Sequence, residues 1–318
     1  MLVGRVSFYW ARCDLLYLIE EAERRLKIPE SAISQLYHLV AFKIRKPKTQ
    51  LKKGMFVISI DVDVGCSELG IRHRGKNDFN IHPYFSEYAV GKMEEMALPF
   101  FVDMFETLAV PVTFAFRGEC LDIDTTTVGL VLDSSVEHDI GSHGYSHRRF
   151  EDLSYSDAET ELNRTSVAMR RCGIIPRSFI FPRNSVAHLD LLEKYGYKSY
   201  RSYGNFIHDR MQIEKHGGLY DICPSLHLCR SANALFLKRI LDVAVEEKAP
   251  FHVWFHMWNF SKYERCERAQ LESIKRSVKR AVFPLLEYAR EKVNLGVLTF
   301  ETMLSAAEKV ESARVLGQ

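Results

Sequence analysis

Four short segments carry residues whose types and spacing suit chemistry. The string SIDVDVG places Asp61 and Asp63 two apart at the end of an apolar run. On a strand, side chains at i and i+2 share a side, and two carboxylates there repel unless a cation or a shared proton separates them. GSHGYSH carries His143 and His147. Four residues apart, they share a face if the segment turns helically, and both can then reach one ion. FPRN supplies Arg183, whose planar fork suits a carboxylate. FHVWFHMWNF supplies His252 and His256 among Trp254 and Trp258. Taken singly, an Asp pair is an ordinary loop cap, a His pair is ordinary hydrogen bonding, and an arginine at a helix start faces solvent. The 12 histidines of the chain give by chance about 0.4 pairs at a spacing of four, so two pairs are suggestive only. Position within the strands carries more weight.

The elements that must hold these residues come from periodicity. From Met55 onward, short β-rich runs alternate with longer helical windows, the pattern of βα units around a parallel sheet. MFVISI, VPVTFAF, HDIGSH, SFIFP, KSYRS, FHVWFHMW and GVLTF read as strands. Helical windows lie between them, at 84–109, near 125–132, at 156–172 with Ser156 as N-cap candidate, at 187–195, at 232–247 and at 264–292. About seven strands of this kind predict an α/β fold, a barrel or barrel-like sheet first and a doubly wound open sheet second. Either architecture gathers function at the C-terminal ends of the strands. A carboxylate pair and a histidine pair at such ends make an open metal site, with positions left for water and substrate. His252 reads as a hydrogen-bonded core residue, whereas His256, near the strand end, reads as functional.

Length and composition bound the rest. With 318 residues, 47% of them hydrophobic and 26% charged, the chain has the make-up of a globular protein. Its 43 basic and 41 acidic residues leave a net charge of +2, which argues against a nucleic-acid partner. Seven scattered cysteines without a CxxC pair fit a reducing compartment, and no stretch reads as a secretory leader or a membrane span. A cytoplasmic location is the expectation. Residues 1–53 read as a helical extension ending in the basic linker KIRKPKTQLKK, ahead of a catalytic domain over 54–318. The run at 43–53 is read as a solvated tether in preference to a patch touching anionic membrane or glycan. The loop from Gly65 to Pro83, with His73, Arg74 and His82, is long enough to shape a groove.

These residues resemble the polysaccharide deacetylase family, the NodB homology domain of carbohydrate esterase family 4. SIDVDVG is similar to its first motif, EHDIGSHGYSHRRFEDLS to its histidine motif, PVTFAFRGE to its second strand, FIFPRN to its third motif and WFHMWNF to its last. The likeness covers roughly residues 55–300. It implies a distorted (β/α) barrel of the glycoside hydrolase/deacetylase superfamily. A divalent metal, most often Zn2+, would be held by Asp63, His143 and His147. Asp61 would be the general base, His256 the general acid, and Arg183 a partner of Asp61. The implied reaction is removal of the N-acetyl group from an N-acetylated sugar in a polysaccharide or glycan precursor. The sequence departs from the family at Ile180, where the third-motif arginine often stands, and Arg183 follows the proline instead. Val62 separates the two aspartates, as in divergent members, some of which act on cyclic amides. A small cyclic or linear amide is therefore the alternative substrate, and a catalytically silent carbohydrate-binding relative a third reading. No clear fourth motif supplies a partner for His256, and Asp221 is the candidate.

Overall fold

The computed structural model describes residues 49, 51–63, 87–202, 211–261 and 267–315. The expected helices of the N-terminal extension, most of its basic run, and the loop from Gly65 to Pro83 lie outside these residues. Residues 45–318 make one compact unit.

Its centre is β1 (Gly54–Val62), buried at all nine positions. A near-continuous apolar run is what a strand covered on both faces requires. Along β1 the first half pairs with β10 (Leu298–Glu301), the second half with β2 (Thr113–Phe116), and nearly its whole length with β9 (Pro250–His256), all in parallel. The sheet continues from β2 through β3 (Asp139–Ser142), β4 (Ser178–Ile180) and β5 (Ser199–Arg201) to β7 (Leu219–Ile222), and on the other side from β9 to β8 (Leu226–His227). All these pairings are parallel. The sheet curls as a half-barrel with helices packed on it, the expected distorted barrel.

All seven expected strands form. Three further ones, β6 (Ile213–His216), β7 and β8, were not expected. β6 and β7 are an antiparallel hairpin turning through Gly217 and Gly218. Each strand is only four residues long, too short for a hydrophobic period, so the double glycine was the only readable sign. Gly217 has φ +62°, a left-handed conformation that favours glycine, whereas the only side chain a Cβ would meet is the movable carboxylate end of Glu193.

The helices are α1 (Glu87–Thr107), α2 (Gly118–Leu121), α3 (Thr126–Leu132), α4 (Tyr155–Arg171), α5 (Leu189–Lys194), α6 (Ala234–Glu246), α7 (Glu267–Asn294) and α8 (Met303–Val315). The cap of α4 is Ser154, whose hydroxyl accepts from Asp157 N, and not Ser156, which lies inside the first turn. Helix α8, also unexpected, packs Met303, Ala306, Ala307 and Val310 against Met55, Val57, Ile213 and Ile222. Its N-terminal amides are met by Thr113 Oγ1 at 2.8 Å and Asp139 Oδ2 at 3.4 Å, two polar groups at the starts of β2 and β3. A second apolar cluster around Phe150, Phe179, Phe181, Leu191 and Tyr200 fastens α4 and α5 to β4 and β5. Among the described residues no helix is long and apolar enough to cross a membrane.

Candidate metal and catalytic site

The strand ends bring the polar residues together. Asp61 is paired in register with Ala115 of β2 and His256 of β9, which places base and acid candidates on neighbouring strands. Asp63 follows the end of β1, Arg117 the end of β2, and His143 the end of β3, with His143 N donating to Phe116 O at 2.8 Å. One ligand atom from each of Asp63, His143 and His147 can be chosen so that all three lie within 4.8 Å of one another. All three residues are buried.

The donor set fits a divalent cation. His143 Nδ1 sits 2.8 Å from the Ile180 carbonyl, which can only accept, so the proton is on Nδ1 and the lone pair on Nε2. That Nε2 is buried without a hydrogen bond, 3.9 Å from Asp61 Oδ2. An imidazole fixed by a backbone carbonyl with its other nitrogen turned toward carboxylates is the usual arrangement of a metal-ligating histidine. Burial keeps His143 neutral by pushing its pKa down. His147 is driven well below the ordinary value by burial, with the charge of Arg117 next in effect. Both rings are thus in the form that binds metal.

Asp61 is held from across the barrel. Arg201, at the end of β5 and wholly buried, makes two parallel bonds to it, Nη1 to Oδ1 at 2.6 Å and Nη2 to Oδ2 at 2.7 Å. Burial by itself would raise the Asp61 pKa, but Arg201, with lesser help from His143 and His256, holds it far below the carboxylate range. His256 Nε2 stands 3.7 Å from Asp61 Oδ2 and 3.6 Å from Asp63 Oδ2. Its ring lies between Trp254 and Trp258, with centroids 6.1 and 5.0 Å away.

Two expectations need correction. Arg183, the expected partner of Asp61, is exposed in the turn after β4 at φ +54°, and the fork on Asp61 belongs to Arg201. Arg183 still bears on the site, because its charge contributes to the depression of the His147 pKa. Asp221, the candidate partner of His256, instead accepts from Ser202 N at 3.1 Å, and burial raises its pKa to about 6. Residue types explain why Arg201 escaped notice. In KSYRS the alternation puts Ser199 and Arg201 on one side, and a polar side on an interior strand of a barrel was the available signal.

Two more buried groups were not anticipated. Glu94 of α1 accepts from Asp63 N, and burial followed by the Asp63 charge raises its pKa well above the usual range. Beneath Asp61, Arg201 Nη1 donates to Ser59 Oγ at 3.0 Å, and Ser59 bonds His252 Nε2 at 2.9 Å. His252 Nδ1 meets the Ile222 carbonyl at 2.8 Å, so it carries the proton, Nε2 accepts, and both nitrogens are used. His252 is therefore the hydrogen-bonded core histidine expected of it.

Burial, with the Arg201 charge second, lowers the His252 pKa to about 3. A histidine with a folded pKa below its unfolded value binds protons preferentially in the unfolded chain. Its contribution to stability is full above about pH 6.5 and is lost as pH falls toward 3. Comparing wild type with His252→Gln between pH 6 and 4 cancels the other titrations. Wild-type unfolding free energy should fall more steeply, by about 1.4 kcal/mol per pH unit; equal slopes in chemical denaturation would refute the neutral assignment.

The polysaccharide deacetylase family model matches residues 92–200, the span from α1 through β4 into β5 that includes Arg117, His143 and His147. The resemblance drawn from the motifs is thereby borne out. Among solved structures, two proteins provisionally named as polysaccharide deacetylases are similar in fold. The one from Mycobacterium smegmatis aligns with a TM-score of 0.63 at 13% identity, covering 85% of this chain and 96% of its own. The one from Pseudomonas aeruginosa PAO1 gives 0.57 at 12% identity, covering 80% and 90%. Puue allantoinase gives 0.57 at 10% identity, covering 81% and 90%. No curated protein sequence matches the chain.

Proposed function

Because residues 92–200 match the polysaccharide deacetylase family, we propose that the chain is a metal-dependent hydrolase that removes the N-acetyl group from an N-acetylated sugar of a glycan or glycan precursor. The observation that carries this reading is a carboxylate held ionised by a buried arginine, 3.7 Å from a histidine and beside an Asp-His-His cluster. Asp63, His143 and His147 would hold the ion, and zinc suits two imidazoles and a carboxylate with a position left open. When bound, such an ion polarises the amide carbonyl and lowers the pKa of its water toward about 7.

The chain's own residues supply the rest. Asp61, kept unprotonated by Arg201, takes the proton of the attacking water. His256 Nε2, facing both carboxylates, delivers the proton that the leaving amine needs as the C–N bond breaks. Acetate and a free amino sugar are the products. Trp254 and Trp258, both buried, pack beside His256, and Trp254 also stacks on the Arg201 guanidinium at 4.3 Å, so the two rings help to hold the acid and the partner of the base in place.

Acetate release from a panel of N-acetylhexosamine oligomers, monomers and lipid-linked sugars tests this reading, with added zinc and with chelator. Release should stop on chelation and return with zinc. Full release from metal-free protein would refute the metal role. Turnover of a cyclic amide without acetate from any sugar would favour the alternative substrate.

A further inference from the structure

The histidine loop depends on a glutamate fourteen residues beyond it. Glu161 lies on α4 at 5% exposure, within a stripe of buried Ala158, Leu162, Thr165 and Met169 spaced at helical intervals. A carboxylate in such a stripe is unfavourable unless its oxygens are bonded. Here Oε2 accepts from Tyr145 N at 3.1 Å and Ser146 N at 2.9 Å, while Oε1 accepts from Ser146 Oγ at 2.5 Å. Those two amides immediately precede His147.

The loop they belong to is an unusual shape. Gly144 has φ +68° and His147 φ +61°, and a left-handed conformation at a non-glycine residue persists only where its surroundings enforce it. Its carbonyls are held separately: Gly118 N donates to Gly144 O at 2.9 Å and Glu119 N to Tyr145 O at 3.1 Å. The amide side of the turn at 145 and 146 is held by Glu161. Losing it would leave two buried or part-buried N–H groups unsatisfied and release the turn that aims His147 beside His143, whose ring centroid is 5.0 Å away.

We infer that Glu161 is a positioning residue of the metal site, a clamp on the 145–146 amides that holds His147 in ligating geometry without touching the ion. The inference rests on the reading of Asp63, His143 and His147 as metal ligands. Gln can keep all three bonds, its carbonyl oxygen accepting the two amides and its NH2 donating to the Ser146 hydroxyl, whereas Ala keeps none.

Cobalt(II) added to metal-free protein provides the test, read by its visible absorption bands and by affinity in competition with a chelator. Wild type and Glu161→Gln should bind one equivalent with similar bands. Glu161→Ala should bind about 10- to 100-fold more weakly, the range for loss of a group supporting a ligand, with altered bands. Should Glu161→Ala not fold, Glu161→Asp, whose carboxylate is drawn back by one methylene from both amides, is read in its place and should bind cobalt more weakly than Glu161→Gln. Wild-type affinity and bands in Glu161→Ala, or in Glu161→Asp read in its place, would overturn the clamp alone. Failure of wild type to bind cobalt at all would take down the ligand assignment and the clamp with it.

Discussion

Arg201→Ala should destabilise the protein by about 3–5 kcal/mol and suppress turnover, whereas Arg183→Ala should change stability by no more than about 0.5 kcal/mol. The contrast follows from where the two guanidinium groups lie. Arg201 is wholly buried and bidentate on a carboxylate that is itself 3% exposed, so its removal leaves a buried charge without its guanidinium partner. Burial, the largest influence on Asp61, would then meet only the lesser effects of His143 and His256, so its pKa would rise, and a protonated Asp61 cannot accept a proton from water. Arg183 is exposed, so its loss leaves no buried charge behind. Arg201→Lys restores the charge but not the two-pronged geometry, and should recover only part of both losses. Urea denaturation and steady-state rates on the three variants decide the matter. Equal damage from Arg183→Ala and Arg201→Ala would show that the partner of Asp61 has been misassigned.

Asp61→Asn separates the base from the metal ligands, and its expected effect on rate is larger still. Turnover should fall by about 10²- to 10⁴-fold, the range for losing a general base, while bound metal stays stoichiometric. Asparagine keeps one acceptor for Arg201 and turns an NH2 toward the other nitrogen, so a stability loss should accompany the change and must be measured beside the rate. His143→Ala provides the opposite pattern. It removes a proposed ligand whose Nδ1 anchors to Ile180 and whose Nε2 faces the carboxylates, so both metal and activity should disappear. Metal analysis by mass spectrometry on the two purified variants reads the difference. Wild-type rate in Asp61→Asn would remove it from the role of base, and metal-free His143→Ala with full activity would remove the ion from the reaction.

Much of the site was legible in the residues because its parts are local. Asp61 and Asp63 lie two apart on one strand, His143 and His147 share one loop, and His256 ends one strand. Strand ends in a βα chain point to one face whatever the details of packing. The buried run of β1 and the alternation of short strands with long helices likewise determined the fold class, since each rests on periodicity within about ten residues. The family likeness in the histidine segment followed from the same short strings.

What remained hidden depends on contacts across the barrel. Asp61 and Arg201 are 140 residues apart, and Ser59 and His252 are 193 apart. No spacing rule joins such pairs; the sheet order and register do. A guanidinium next to a promising proline was the nearest candidate in the chain, yet the turn after β4 leaves Arg183 exposed, while β5 sends Arg201 inward on the same side as Ser199. Glu94 and Glu161 were invisible for a related reason: a glutamate on a helix reads as a solvated residue until the loop amides it must satisfy are placed against it. The amino-acid sequence by itself determined which groups could do the chemistry and at which end of the strands they collect. Only the tertiary structure decided which charges oppose one another there, because a carboxylate's pKa and a ligand's aim are set by neighbours in space.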